Sequence, residues 1–322
     1  MFKNREGKVR SGWKIAGMMG TSYLLTIIIG IIIGIAVGIY YLLQMKGSKI
    51  DMAQFQNEIR SITEGNNTFK YVSLLIQEIT FILIPVVAWK YIIKRPLSNM
   101  GLTSFKKGTK ELIIGLFFGI VSISMVFILL VLTSSAKVTT WAPHFVLDQL
   151  VYVLIYISVG FAEEIFTRGY IMSALRQTRN VYIAVLGSAI IFALMHSGNS
   201  GISLIAYLNL TLVGILFAFM YLKSGNLWMC IGFHITWNYF QGCVYGFEVS
   251  GNTSNGIITT QNTGNALLNG GAFGPEGGLF VTIIVLFGFL FVSYYYKNST
   301  FDFIASEPDG IDKSQLHRNV TM

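Results

Sequence analysis

Charge is what this sequence has least of. Asp, Glu, Lys and Arg make up 12% of its 322 residues, about half of the quarter usual in soluble domains, and the mean hydropathy is +0.61. That scarcity excludes an ordinary soluble domain and predicts an integral membrane protein. Cysteine is scarce too. Only Cys230 and Cys243 occur, and on one continuous helix they would stand about 20 Å apart, too far for a mutual disulfide. There is no HExxH pair, no internal repeat and no lipidation signal. The first apolar run is too long for a signal-peptide core and lacks a small-residue cleavage pattern, so it reads as a retained helix. The formal charge of +8 does not point to nucleic acid, because the basic residues flank apolar segments instead of sharing a polar face with aromatics.

What is present is a series of apolar runs. Eight fall near residues 16–44, 71–93, 111–133, 147–175, 181–196, 202–222, 226–246 and 278–296, several at or above the about 20 residues needed to cross a bilayer core. They predict an all-α integral membrane protein of about eight transmembrane helices, a single domain over 1–322 with a polar cytoplasmic tail at 297–322. With the N-terminus inside, 17 of the 23 basic residues lie in inside regions, five lie outside, and Arg168 lies within a span. This bias places both termini in the cytoplasm. Met52, Phe55, Ile59 and Ile62 recur at helical spacing among charged residues, which predicts an amphipathic helix in the outer interface. Gly30, Gly34 and Gly38 lie one turn apart on the first span and offer a smooth face for helix packing or for a homodimer. Residues 246–278, rich in Gly, Asn and Thr and without Lys or Arg, read as an external loop that need not pack.

Against that background the stretch FAEEIFTRGY at 161–170 is out of place. A charged side chain at bilayer depth costs at least about 2.5–3.5 kcal/mol. On an α-helix Glu164 and Arg168 lie within about 40° of each other and one turn apart, in the favourable order for an ion pair. Glu163 points about 100° away from Glu164, so it must find a partner elsewhere or take up a proton. Two histidines fall within spans: His196 closes FALMH, and His234 stands one turn before Asn238 in HITWN. The remaining two, His144 and His317, fall in a loop and in the tail. By rise per residue, Glu163 and His196 lie at about 20 and 22 Å from the cytoplasmic ends of their helices and His234 at about 12 Å, so one intramembrane cavity can hold all of them. A carboxylate and an imidazole there can take a proton from water, while a second imidazole and a carboxamide receive a developing oxyanion. Together these groups suit peptide-bond hydrolysis.

Glu163, Glu164 and Arg168 match an EExxxR motif, Phe192 and His196 match FxxxH, and His234 and Asn238 match HxxxN. In this order they resemble the intramembrane proteases of the CAAX-processing and bacteriocin-processing (CPBP, or Abi) family, over roughly residues 90–246 including RPLSNMGL at 95–102. The resemblance implies an eight-span protease in which Glu163 and His196 activate water and His234 with Asn238 stabilises the oxyanion, without a metal. Phe192 would shape the pocket, and Glu164 with Arg168 would hold the helix in place. It further implies a membrane-associated peptide or protein substrate, a role in peptide maturation or bacteriocin self-immunity, and a bacterial plasma membrane.

Rival readings remain open. Glu163, His196 and His234 would supply one oxygen and two nitrogens for a zinc ion with a free fourth position. A proton-coupled transporter uses similar intramembrane groups, and a non-catalytic scaffold or immunity factor would keep the fold without the reaction. The expectation taken forward is an endopeptidase acting on a peptide at or within the cytoplasmic half of the bilayer.

Overall fold

The computed structural model describes residues 2–4, 7–44, 52–65, 67–140, 148–253 and 256–305. His144 and His317 lie outside them. Each of the eight apolar segments is helical. The principal elements are α1 (Ser11–Gln44), α2 (Met52–Gly65), α3 (Asn67–Val87), α4 (Phe105–Leu132), β1 (Ala136–Thr140), α5 (Asp148–Glu164), α6 (Val181–Met195), α7 (Leu204–Ser224), α8 (Trp228–Tyr239), β2 (Thr259–Asn262) and α9 (Leu279–Tyr295). Stretches 11–43, 68–92, 97–132, 148–178 and 204–224 are long and apolar enough to cross a membrane, whereas α6 and α9 are shorter apolar helices. The expected amphipathic helix is α2, whose Phe55 packs on Tyr41 of α1 at 5.7 Å between ring centroids.

Three helices widen into π turns. α3 does so at Ala88–Ile92, just after Pro85, where a proline removes an intrahelical bond. α5 runs through π turns at Ile165–Met172 and then tightens into a 3-10 turn at Arg176–Thr178. α8 continues as a π turn at Phe240–Val244. Such insertions re-aim side chains and recur at functional sites; here two of them directly follow Glu164 and the His234–Asn238 turn.

The helices alternate in direction, so the bundle has two distinct ends. At the terminal end, Gln177 donates to the Val9 carbonyl, Tyr170 to that of Lys14 and Ser299 to that of Lys223. Phe303 covers the buried Arg176 guanidinium at 4.2 Å. At the distal end, Lys70 donates to the Thr253 carbonyl and Asn199 to that of Ser250.

The tightest helix pair is α4 against α8. A Cβ on Gly115 would stand 2.2 Å from the Met229 carbonyl oxygen, and one on Gly119 2.4 Å from that of Phe233. This close approach lets Thr236 donate across the interface to the Leu116 carbonyl at 2.8 Å, the kind of contact that small residues permit in membranes. The α1 glycines are different: among the described residues nothing lies within 4 Å of a Cβ on Gly30 or Gly34. Small-residue packing thus occurs one helix pair away from where the spacing on α1 suggested.

Segment 246–278 is also unlike its expectation. Phe247, Val249, Asn269, Phe273 and Glu276 are all buried. The segment pairs β2 with β1 in a two-stranded antiparallel sheet, Ala136 opposite Asn262, the one sheet among the described residues. Its polar side chains act as internal donors: Asn269 Nδ2 serves the carbonyls of Ser135 and Thr263. Asn209 of α7 does the same for Glu276 and Gly278. A polar composition here satisfies buried backbone instead of marking a loop free to move.

Candidate active site

α5, α6 and α8 deliver the sequence-predicted residues to one place. His234 Nε2 lies 3.7 Å and His196 Nε2 4.0 Å from the same oxygen, Glu163 Oε2. That oxygen is buried and has no hydrogen-bond partner among the described residues. The spacings exceed a direct hydrogen bond and suit a single bridging water.

The far side of each imidazole is fixed. His196 Nδ1 lies 2.9 Å from the Phe192 carbonyl oxygen; a carbonyl only accepts, so Nδ1 carries the proton and, in the neutral ring, Nε2 presents its lone pair towards Glu163. The FxxxH spacing is therefore an i to i+4 side-chain-to-backbone bond that sets a tautomer. His234 Nδ1 lies 3.1 Å from Glu164 Oε1, the oxygen that also receives Arg168 Nη1 at 3.0 Å. Glu164 is thus more than half of an ion pair: the same oxygen holds Arg168 and orients His234. An imidazole anchored this way has its other nitrogen fixed in direction.

Beneath this cluster Arg168 is fully buried. Its guanidinium lies between two rings, 4.3 Å from the Phe192 centroid and 5.1 Å from that of Phe217, and Nη1 also donates to Thr167 Oγ1 at 2.7 Å. Phe192 accordingly does more than shape a pocket: it also forms one face of a cation–π sandwich. Asn238, one turn along from His234, is buried and lines the same cavity as Glu163, His196 and His234.

That cavity has a volume of about 440 Å³. Two further carboxyl groups belong to the site and were missed in the sequence. Glu78 of α3 is buried and lines the cavity with Glu163, bonded to Gln77 Nε2 at 3.3 Å. The signal existed, since it is an acidic residue in mid-span. Glu276, just before α9, lines an adjoining cavity of about 30 Å³ with His196, His234 and Asn238, a volume that holds water. Its Oε2 accepts from Ser250 N and Oγ at 2.6 and 2.7 Å. Burial pushes its carboxyl above the ordinary range, against the pull of the Ser250 donors and both imidazoles. Nothing local in the sequence pointed to Glu276, because it reaches the site only through the folding of 246–278.

Zinc ligands held at about 2.0–2.2 Å in a tetrahedron stand about 3.4 Å from one another. Both imidazole-to-Glu163 spacings are longer than this, and among the described residues no group of three His, Cys, Asp or Glu is arranged to hold a metal ion. The residues do not fit the zinc set considered from the sequence, and no step below passes through a metal.

Fold and site define an all-helical membrane protein with a buried carboxylate–imidazole cluster facing a cavity. Residues 146–240 match the family model described as type II CAAX prenyl endopeptidase Rce1-like, a stretch that runs from before Glu163 to beyond Asn238 and bears out the resemblance read from the three motifs. It supports the reading of a CAAX-type intramembrane endopeptidase. RPLSNMGL lies outside the matched residues. No curated protein and no solved structure matches the chain.

Proposed function

We propose that the chain is a glutamate-dependent, metal-independent intramembrane endopeptidase in which Glu163 is the general base. The observation that carries this reading is one orphaned carboxylate oxygen within 4.0 Å of two imidazole nitrogens on the wall of a large cavity. Water bound between Glu163 Oε2 and His196 Nε2 gives up a proton as its oxygen attacks the scissile carbonyl carbon. The carbonyl oxygen becomes an oxyanion and accepts from Asn238 Nδ2 and from His234 Nε2 in the doubly protonated ring, whose Nδ1 is tied to Glu164. As the C–N bond breaks, the proton taken from water passes to the leaving amine. Glu164 and Arg168 act as positioning residues, and both termini face the cytoplasm of a bacterial cell.

The membrane peptidomes of cells carrying wild type and Glu163→Gln test this. Products present only with wild type are expected, and they should persist when the purified enzyme is treated with chelator. Identical peptidomes would overturn the proteolytic reading in favour of a scaffold, and cleavage lost on chelation from protein holding stoichiometric zinc would overturn the metal-free one.

A further inference from the structure

Resting on the proteolytic reading above, the geometry points to a substrate class: peptide segments cut from the non-cytoplasmic side of the membrane, not tails held at the inner leaflet. The mouth of the cavity is the first observation. From Glu163 it extends to Lys70, Asn199, Asn252 and Thr253, half-buried for the first two and exposed for the others, and all at the distal end of the bundle. His196 is itself the C-cap residue of α6, so the connection to α7 starts at the site.

The floor is the second. Every residue from Ile165 to Met172 is buried, and a Cβ on Gly169 would stand 2.9 Å from Met100 Cε and 3.3 Å from Leu227 Cδ1, two side chains with 0% exposure. Two turns of close-packed protein therefore separate Glu163 from the terminal end. Among the described residues, packing of this density closes the Ile165–Met172 floor to a peptide chain.

The third is charge. Of the 18 basic residues among those described, fourteen lie at the terminal end and three at the distal end, with Arg168 between them. The positive-inside bias assigns the terminal end to the cytoplasm, and so assigns the mouth to the outside. The proposed outer-side peptide departs from the expectation of one in the cytoplasmic half: with cytoplasmic termini, the open half of the site is the outer one. A substrate of this kind has an extended segment at the outer leaflet, long enough to descend from Thr253 past the Tyr152 and Tyr156 rings to Glu163, as a translocated or membrane-anchored peptide does and an inner-leaflet tail does not.

Exposed Thr253 and exposed Lys297 provide the test. Thr253→Cys and Lys297→Cys are made in the full chain, whose own two cysteines are buried, and treated with a membrane-impermeant polyethylene-glycol maleimide on intact protoplasts. Thr253→Cys should label at once and Lys297→Cys only after permeabilisation; the opposite pattern overturns the proposed sidedness whether or not any product is seen. Glu163-dependent products, followed before and after labelling, should fall at least tenfold for Thr253→Cys and stay unchanged for labelled Lys297→Cys. Products that continue at the full rate with the Thr253→Cys mouth blocked from outside would overturn the proposed route of access. Their absence from unlabelled wild type would instead defeat the proteolytic reading while leaving the sidedness decided by the labelling.

Discussion

Glu163 and Glu164 are neighbours in sequence and belong to two different regions of the molecule. On the Glu164 side lies a floor in which Arg168 is neutralised by a carboxylate and faced by the rings of Phe192 and Phe217. On the Glu163 side lies a wall whose polar atoms, Glu163 Oε2 and two imidazole nitrogens, approach one another without bonding. The about 100° between successive helical residues is enough to put one carboxylate into packed protein and the next into a cavity. The floor teaches what a membrane interior demands of buried charge; the wall shows what is left over for chemistry.

The sharpest way to break the comparison is to remove the wall group. Glu163→Gln keeps the shape and deletes the base, so cleavage should fall by about 10²–10⁴-fold with unchanged yield of folded protein by size-exclusion chromatography. A parallel loss of folded yield would mean that Glu163 belongs to the floor after all.

Removing the floor should do the reverse. Arg168→Met leaves Glu164 buried without its guanidinium, which costs about 3–5 kcal/mol and should appear as lost folded yield. The double variant Glu164→Gln/Arg168→Met removes both charges and should recover much of that yield, yet not activity, because His234 then loses the carboxylate that orients it. Recovery of both would show that Glu164 serves only the ion pair.

Smaller effects divide the wall and the floor further. Asn238→Ala removes one oxyanion donor and should lower kcat by about 10²–10³-fold with KM little changed. Phe192→Leu removes one ring from the Arg168 sandwich, worth about 0.5–2 kcal/mol, and should lower the thermal unfolding midpoint in detergent more than it lowers activity. An activity loss as large as that of Asn238→Ala would move Phe192 from floor to wall.

The floor was legible in the sequence and the wall only in part. Glu164 and Arg168 follow from local helix geometry, and charge in an apolar run is conspicuous at any distance from its partners. Glu163, His196 and His234 were legible as unpaired groups at compatible depths, and their convergence then needed only three helices. Glu78 carried the same signal and was passed over among its apolar neighbours. The direction of opening was not legible, since it depends on side chains from Met100, Leu227 and the Ile165–Met172 turn meeting to close the terminal end. Nor was the role of 246–278. Its asparagines and glycines have the composition of a solvated loop, and only the fold reveals that Asn269 is spent on the Ser135 carbonyl while Asn209 of α7 serves the segment's own Glu276 carbonyl.

Glu276 lies where the two regions meet and gives the smallest and most discriminating prediction. It is buried like the floor, yet it lines the cavity behind His196, His234 and Asn238. Because burial raises its folded-state pKa, the neutral carboxyl is the form the fold favours. The stability it contributes is complete below the unfolded glutamate pKa and is lost as pH rises through the raised folded value. Glu276→Gln is neutral at every pH, so its unfolding midpoint should match wild type in acid and exceed it increasingly as pH rises above the ordinary carboxylate range. The same substitution should flatten one limb of the pH profile of kcat if Glu276 tunes the adjoining imidazoles. A midpoint difference that stays constant with pH would show that folding leaves the Glu276 carboxyl unshifted, and would remove it from both regions.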